Sequence, residues 1–102
     1  MEEKILLRDV ENLDENEKKR VKEILVKAYE KFQRKLKTMK LVEIHFKLYK
    51  KKGKRKKYSV NLRVVSAEGV FEGSYADWDA IKTTHEVIEK VNNEIKKRVK
   101  KD

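Results

Sequence analysis

Polar and apolar residues alternate over residues 40–49, with Val42, Ile44, Phe46 and Leu48 on one side and Glu43, His45, Lys47 and Tyr49 on the other. A period of two marks a strand with one buried face. Residues 57–66 repeat it, Tyr58, Val60, Leu62 and Val64 pointing one way and Ser59, Asn61 and Arg63 the other. Over residues 15–37 the period changes. Val21, Ile24, Leu25, Ala28, Phe32 and Leu36 recur at helical spacing with no Gly or Pro to interrupt them, so the segment predicts one amphipathic helix. Asp14, with Glu17 three residues later, supplies its capping box.

The flanking segments complete the outline. Residues 4–9 (KILLRD) read as a short first strand, and Glu68-Gly69 as a turn into a fourth strand over 70–74. Asp77 or Ser74 can cap a last helix with Trp78, Ile81, Ile88, Val91, Ile95 and Val99 on its inner stripe, Trp78 acting as a core anchor. Gly53 is the only turn-former between the two alternating runs, which predicts a connection longer than two residues and mobile. The order is β-α-β-β-β-α. Two helices with one apolar stripe each, and strands with one apolar face, predict an α+β two-layer sandwich. Its sheet has four strands, mostly antiparallel, and both helices lie on one face. The 102 residues suffice for one domain, 1–102, and one core.

Charge changes the picture. The net charge is +10, and it is unevenly spread. Residues 18–40 carry ten Lys or Arg against two acids, residues 41–67 nine against one, and residues 96–102 five against one. Residues 1–17 and 68–95 each carry seven acids against two basic residues. The densest run, KLYKKKGKRKK at 47–57, holds eight Lys or Arg and no acid. Like charges at a hairpin tip repel, so folding gains nothing from them; a polyanion is the natural partner, nucleic acid first. A solvated turn in a lysine-rich protein is the plainer alternative.

Candidate phosphate contacts are Lys47, Lys50, Lys51, Lys52, Lys54, Arg55, Lys56 and Lys57 of the hairpin, with Arg63 beside them. Lys27, Lys31 and Arg34 share one side of the first helix with Arg20, and Lys97 and Lys100 lie in the basic tail. Cations at a helix C-terminus also complement its dipole, which gives part of the tail a purely structural role. His45 and Tyr49 stand among basic residues on the outer sheet face, where rings can stack on bases, although an exposed sheet face needs polar residues in any case.

Other chemistries find little footing. The absence of cysteine excludes disulfides and thiolate metal sites, and His45 and His85 lack metal-ligand spacing. Three scattered glycines make no phosphate-binding loop. Asp77 and Asp79 fit helix capping, and His85 packing rather than base catalysis. No enzymatic activity, no cofactor and no small-molecule substrate is expected. The apolar stretches are too short for a membrane span and the acidic start is unlike a secretory signal, so a cytoplasmic protein is expected. Abundant Lys and Glu without Pro or Cys follow the thermophile tendency.

The order of elements, the length and the start of the last helix resemble the ribosome hibernation-promoting factor family, protein Y and its relatives. Glu72-Gly73, followed by Tyr75, Asp77 and Trp78, and then Ala80-Ile81 near the helix start, are similar to that family's Glu-Gly and Ala-Ile pairs. Trp78 replaces a smaller apolar residue, and the hairpin is richer in lysine than is typical. The resemblance implies a protein that occupies the small-subunit channel of the ribosome, where messenger and transfer RNA would sit. It would block translation by occupancy and phosphate contacts. Without its first strand the order also resembles a double-stranded-RNA-binding domain, α-β-β-β-α, but acids open the last helix where that family has lysines. A basic protein-interaction domain docking an acidic partner is the third reading.

Overall fold

The two alternating segments become the middle of a four-stranded sheet. The computed structural model describes residues 4–99. Its elements are β1 (Ile5–Arg8), α1 (Glu15–Gln33), β2 (Met39–Lys52), β3 (Arg55–Ser66), β4 (Gly69–Asp77) and α2 (Ala80–Arg98), with a short 3-10 turn at Val10–Asn12. Strand order is β1-β2-β3-β4, β1 parallel to β2 and the other pairs antiparallel. Both helices cover one face, α1 over β1 and β2 and α2 over β3 and β4. The α+β architecture is therefore the one the hydrophobic periods predict.

Register explains the core. Val42 pairs with Val64, Ile44 with Leu62 and Phe46 with Val60, and all six are fully buried. Phe46 also meets Tyr58 edge to face at 6.1 Å, the geometry favoured by ring quadrupoles. From α1, Val21, Leu25, Ala28, Tyr29 and Phe32 close the core. Its N-terminus is the expected capping box: Glu17 N–H donates to Asp14 Oδ1 at 2.7 Å, and Asp14 N–H to Glu17 Oε1 at 3.0 Å. The helix stops at Gln33 rather than running on to residue 37. The following chain is held instead by the next turn, where Lys37 N–H donates to Glu68 at 2.7 Å and Ala67 N–H to Thr38 at 2.9 Å.

Three more sequence expectations need correcting in the second half of the chain. β4 runs from Gly69 to Asp77, beyond the expected 70–74. Its inner positions include Gly73, which a purely apolar pattern would not mark. A Cβ there would lie 3.1 Å from Lys90 Cβ and 3.2 Å from Val91 Cγ2, so glycine lets α2 settle directly on the strand. The cap of α2 is Asp79, whose Oδ1 accepts from Ile81 and Lys82 N–H. Asp77 instead accepts from Trp78 N–H, and Ser74 lies within β4.

The third correction is the inner stripe of α2. It comprises Ala80, Thr83, Thr84, Val87, Val91, Asn92 and Ile95, with Ile81, Ile88 and Val99 only partly buried. Its polar members escaped the periodicity because their bonding needs are met inside. Thr83 and Thr84 donate to Asp79 and Ala80 carbonyls, and Lys35 donates to Asn92 at 2.5 Å.

Candidate nucleic-acid interface

Strand length creates the main basic feature. Fourteen residues in β2 span about 45 Å at the usual strand rise, against about 28 Å for a helix of 19 residues. β1 pairs with β2 only as far as His45, and β4 with β3 only as far as Tyr58. Residues 50–57 therefore form a two-stranded ribbon beyond the four-stranded sheet. The connection at its tip is shorter than the sequence suggests: β2 ends at Lys52 and β3 begins at Arg55, leaving Gly53-Lys54. Gly53 at φ 62 takes the first central position, the place a II′ hairpin turn reserves for glycine. One glycine is enough.

Within the ribbon Lys50 faces Lys57, Lys51 faces Lys56 and Lys52 faces Arg55. Directly opposed like charges destabilise a sheet by about 0.2–1 kcal/mol per pair. Lys47, Lys50, Lys51, Lys52 and Lys54 are all exposed. Tyr49, at a register shift between Leu48 and Lys50, points outward as the alternation predicts, 65% exposed, with Lys57 Nζ 5.4 Å from its ring centroid.

Lys56, and Arg55 although it is itself exposed, also touch the body of the domain. Lys56 Nζ donates to the Asn12 carbonyl at 3.0 Å, and the Tyr58 hydroxyl to the same oxygen at 3.2 Å. Burial, then the Glu17 and Asp14 carboxylates, push the Tyr58 phenol above its ordinary pKa, so it stays a donor. Arg55 lies over the Trp78 ring, 4.7 Å from its centroid. Trp78 is thus half-buried in a cleft at the ribbon's base and is not the core anchor expected of it. Asp77 beside it pairs with Lys82 at 3.3 Å. The Trp78 N–H bond, with that lysine, holds the Asp77 carboxyl below the ordinary range, and Asp77 in turn raises Lys82.

The remaining candidates lie elsewhere. Lys27, Lys31 and Arg34 are exposed on the side of α1 away from the sheet, with Glu23 and Glu30 interleaved. His85 is exposed across the helix groove, among Arg20, Lys27 and Lys31, rather than packed. Arg63 is on the outer sheet face, 4.0 Å from Glu43 and opposite Glu72. His45 there is 2.5 Å from Asp9. These partners arrive from segments distant in sequence, which the local sequence did not signal. Lys97 is exposed near the end of α2. Its neighbour Arg98 donates to the Val70 carbonyl and lies 4.2 Å from the Phe71 ring centroid. Lys100 lies outside the described residues.

Both helices start beside the ribbon's base and run away from it. The ribbon and the α2 tail consequently stand at opposite ends of a molecule about 50 Å long, with Asp14, Glu17, Asp77 and Asp79 gathered between them. Among the described residues no cluster of His, Cys, Asp and Glu could hold a metal ion, and no helix is long and apolar enough to cross a membrane.

No protein-family model and no curated protein matches the chain in sequence. In structure it is similar to the N-terminal domain of Protein Y from Thermus thermophilus. The TM-score is 0.60, the identity 12%, and the match covers 95% of this chain and 98% of that one. At that identity the likeness is one of fold, and it extends over the whole β-α-β-β-β-α order.

Proposed function

We propose that the chain is a non-catalytic, ribosome-associated RNA-binding protein of the hibernation type, which binds ribosomal RNA in the small-subunit channel and blocks translation by occupancy. The observation that carries this reading is the two-stranded basic ribbon. It sets three like-charge pairs side by side, an arrangement that costs stability and is relieved when a polyanion neutralises it. The Protein Y fold and the family resemblance of the sequence supply the choice of ribosome over free duplex. Basic groups toward both ends of a molecule about 50 Å long suit an extended RNA surface rather than a short one. The capping Asp79 at the start of α2, with Asp77 just before it, disfavours the duplex docking of a double-stranded-RNA domain.

The contacts proposed are phosphates on Lys47, Lys50, Lys51, Lys52 and Lys54, with Lys27, Lys31, Arg34 and Lys97 extending the surface. A salt titration of binding to purified small subunits tests this. With about six to ten phosphate contacts, affinity should fall by roughly three to five powers of ten between about 50 and 200 mM salt. Binding that ignores salt, or no retention at low salt, contradicts it.

A further inference from the structure

We infer that Trp78 is a stacking platform for an unpaired nucleobase, covered in the free protein by Arg55. This deepens the RNA-binding reading and rests on it. A guanidinium is flat, cationic and able to cover an indole face as a base would. Arg55 does so at 4.7 Å from the ring centroid. It sits on the first residue of β3, beside the turn of a ribbon with no strand on either side of it. A ribbon anchored at Lys56 and Tyr58 can lift its tip without disturbing the sheet.

The surroundings offer partners to a base as well as to a phosphate. Around Trp78 the cleft is lined by the acceptors Asn12, Asp14, Glu17, Asp77 and Asp79, by the Tyr58 hydroxyl, and by the cations Lys54, Arg55, Lys56 and Lys82. Asp14 and Asp79 each use Oδ1 in a helix cap, which leaves Oδ2 as an acceptor at the rim. Carboxylate acceptors repel phosphate but receive the amino and imino N–H groups of a base edge. Phosphates have Lys54 and Lys56 on the ribbon side of the same cleft and Lys82 on α2. An aromatic face bordered by both acceptors and cations can serve both parts of a nucleotide, base and backbone. When RNA arrives, Arg55 moves from the indole to a phosphate and an unpaired base takes its place.

Trp78 is the single tryptophan, so its own emission reports the event. The probes are an RNA stem carrying a three-nucleotide bulge and the same stem fully paired, each followed by fluorescence and by anisotropy of a label on the RNA. At saturation the bulged stem should quench Trp78 and the paired stem should not. Trp78→Ala should weaken bulged-stem binding by roughly five- to a hundredfold and leave paired-stem binding nearly unchanged. Arg55→Ala controls for a mere latch. If Trp78 only holds the ribbon through Arg55, both variants weaken both RNAs alike, and the inference fails. Stacking predicts that Arg55→Ala keeps the preference for the bulge. Both RNAs binding with unchanged emission would overturn the platform while leaving the RNA-binding reading standing. Neither RNA binding at any salt would overturn both.

Discussion

Replacing Lys50, Lys51 and Lys52 together by Thr should move stability and RNA affinity in opposite directions. Each lysine faces a cation across the ribbon, Lys57, Lys56 and Arg55 respectively. Relief of three opposed pairs is worth about 0.6–3 kcal/mol, and the exposure of these residues places the gain toward the lower end. Thr suits a strand better than Lys. A net gain of about 1 kcal/mol raises Tm by about 4–8 °C in a domain of this size. The same change removes three phosphate contacts. With the coefficient measured for duplexes, the slope of log affinity against log salt should shrink by about 2.7. Near 0.1 M salt the loss is then on the order of a hundredfold or more. Thermal unfolding by circular dichroism and a salt-dependent binding titration on small subunits read the two effects. A lower Tm with unaltered affinity would refute the reasoning, because the lysines would then be part of the fold's support.

Gly73→Ala should destabilise by about 1–3 kcal/mol through overpacking, since the new methyl would meet Lys90 and Val91 of α2 at 3.1 and 3.2 Å; an unchanged Tm would mean that α2 can shift away freely. Asp14→Ala should cost about 0.5–2 kcal/mol by removing one side of the capping box, again read by thermal unfolding. The Asp77 carboxyl, held below its ordinary value of 3.8 by Trp78 N–H and Lys82, contributes stability that is complete above that value. The contribution fades as pH falls below it through the folded-state pKa. Asp77→Asn should therefore flatten the acid limb of Tm against pH, and an identical acid limb in the variant would remove Asp77 from the account.

The parts of the fold that sequence disclosed are those whose signal is local. Alternation over Val42–Leu48 and Tyr58–Val64 settled which faces are buried, because a one-residue slip would turn every side chain over. Asp14 and Glu17 announced a helix start because both halves of the capping box lie within one turn. Elements shaped by distant neighbours were harder to read. Gly73 weakened the strand signal of β4 because α2 presses on it. Thr83, Thr84 and Asn92 broke the apolar stripe of α2 because their hydrogen bonds are made within the core.

The site divides in the same way. The lysine run was plain, but the contacts that Lys56 and Arg55 make depended on Asn12 and Trp78, some forty and twenty residues away along the chain. Arg63 likewise looked available until Glu43 and Glu72 came beside it. Trp78 carried an apolar signal that fitted a core anchor; only the path of the ribbon brings Arg55 over it.

Co-sedimentation with ribosomes tests the central claim most directly. The protein is mixed with small subunits from its own source and centrifuged with and without a large excess of a plain RNA duplex of about 16 base pairs, the span of a double-stranded-RNA domain. The account predicts that the protein travels with the subunits in both cases and is released by messenger or transfer RNA. Loss of the protein from the subunits on adding duplex alone would contradict it and point to a free-duplex reader.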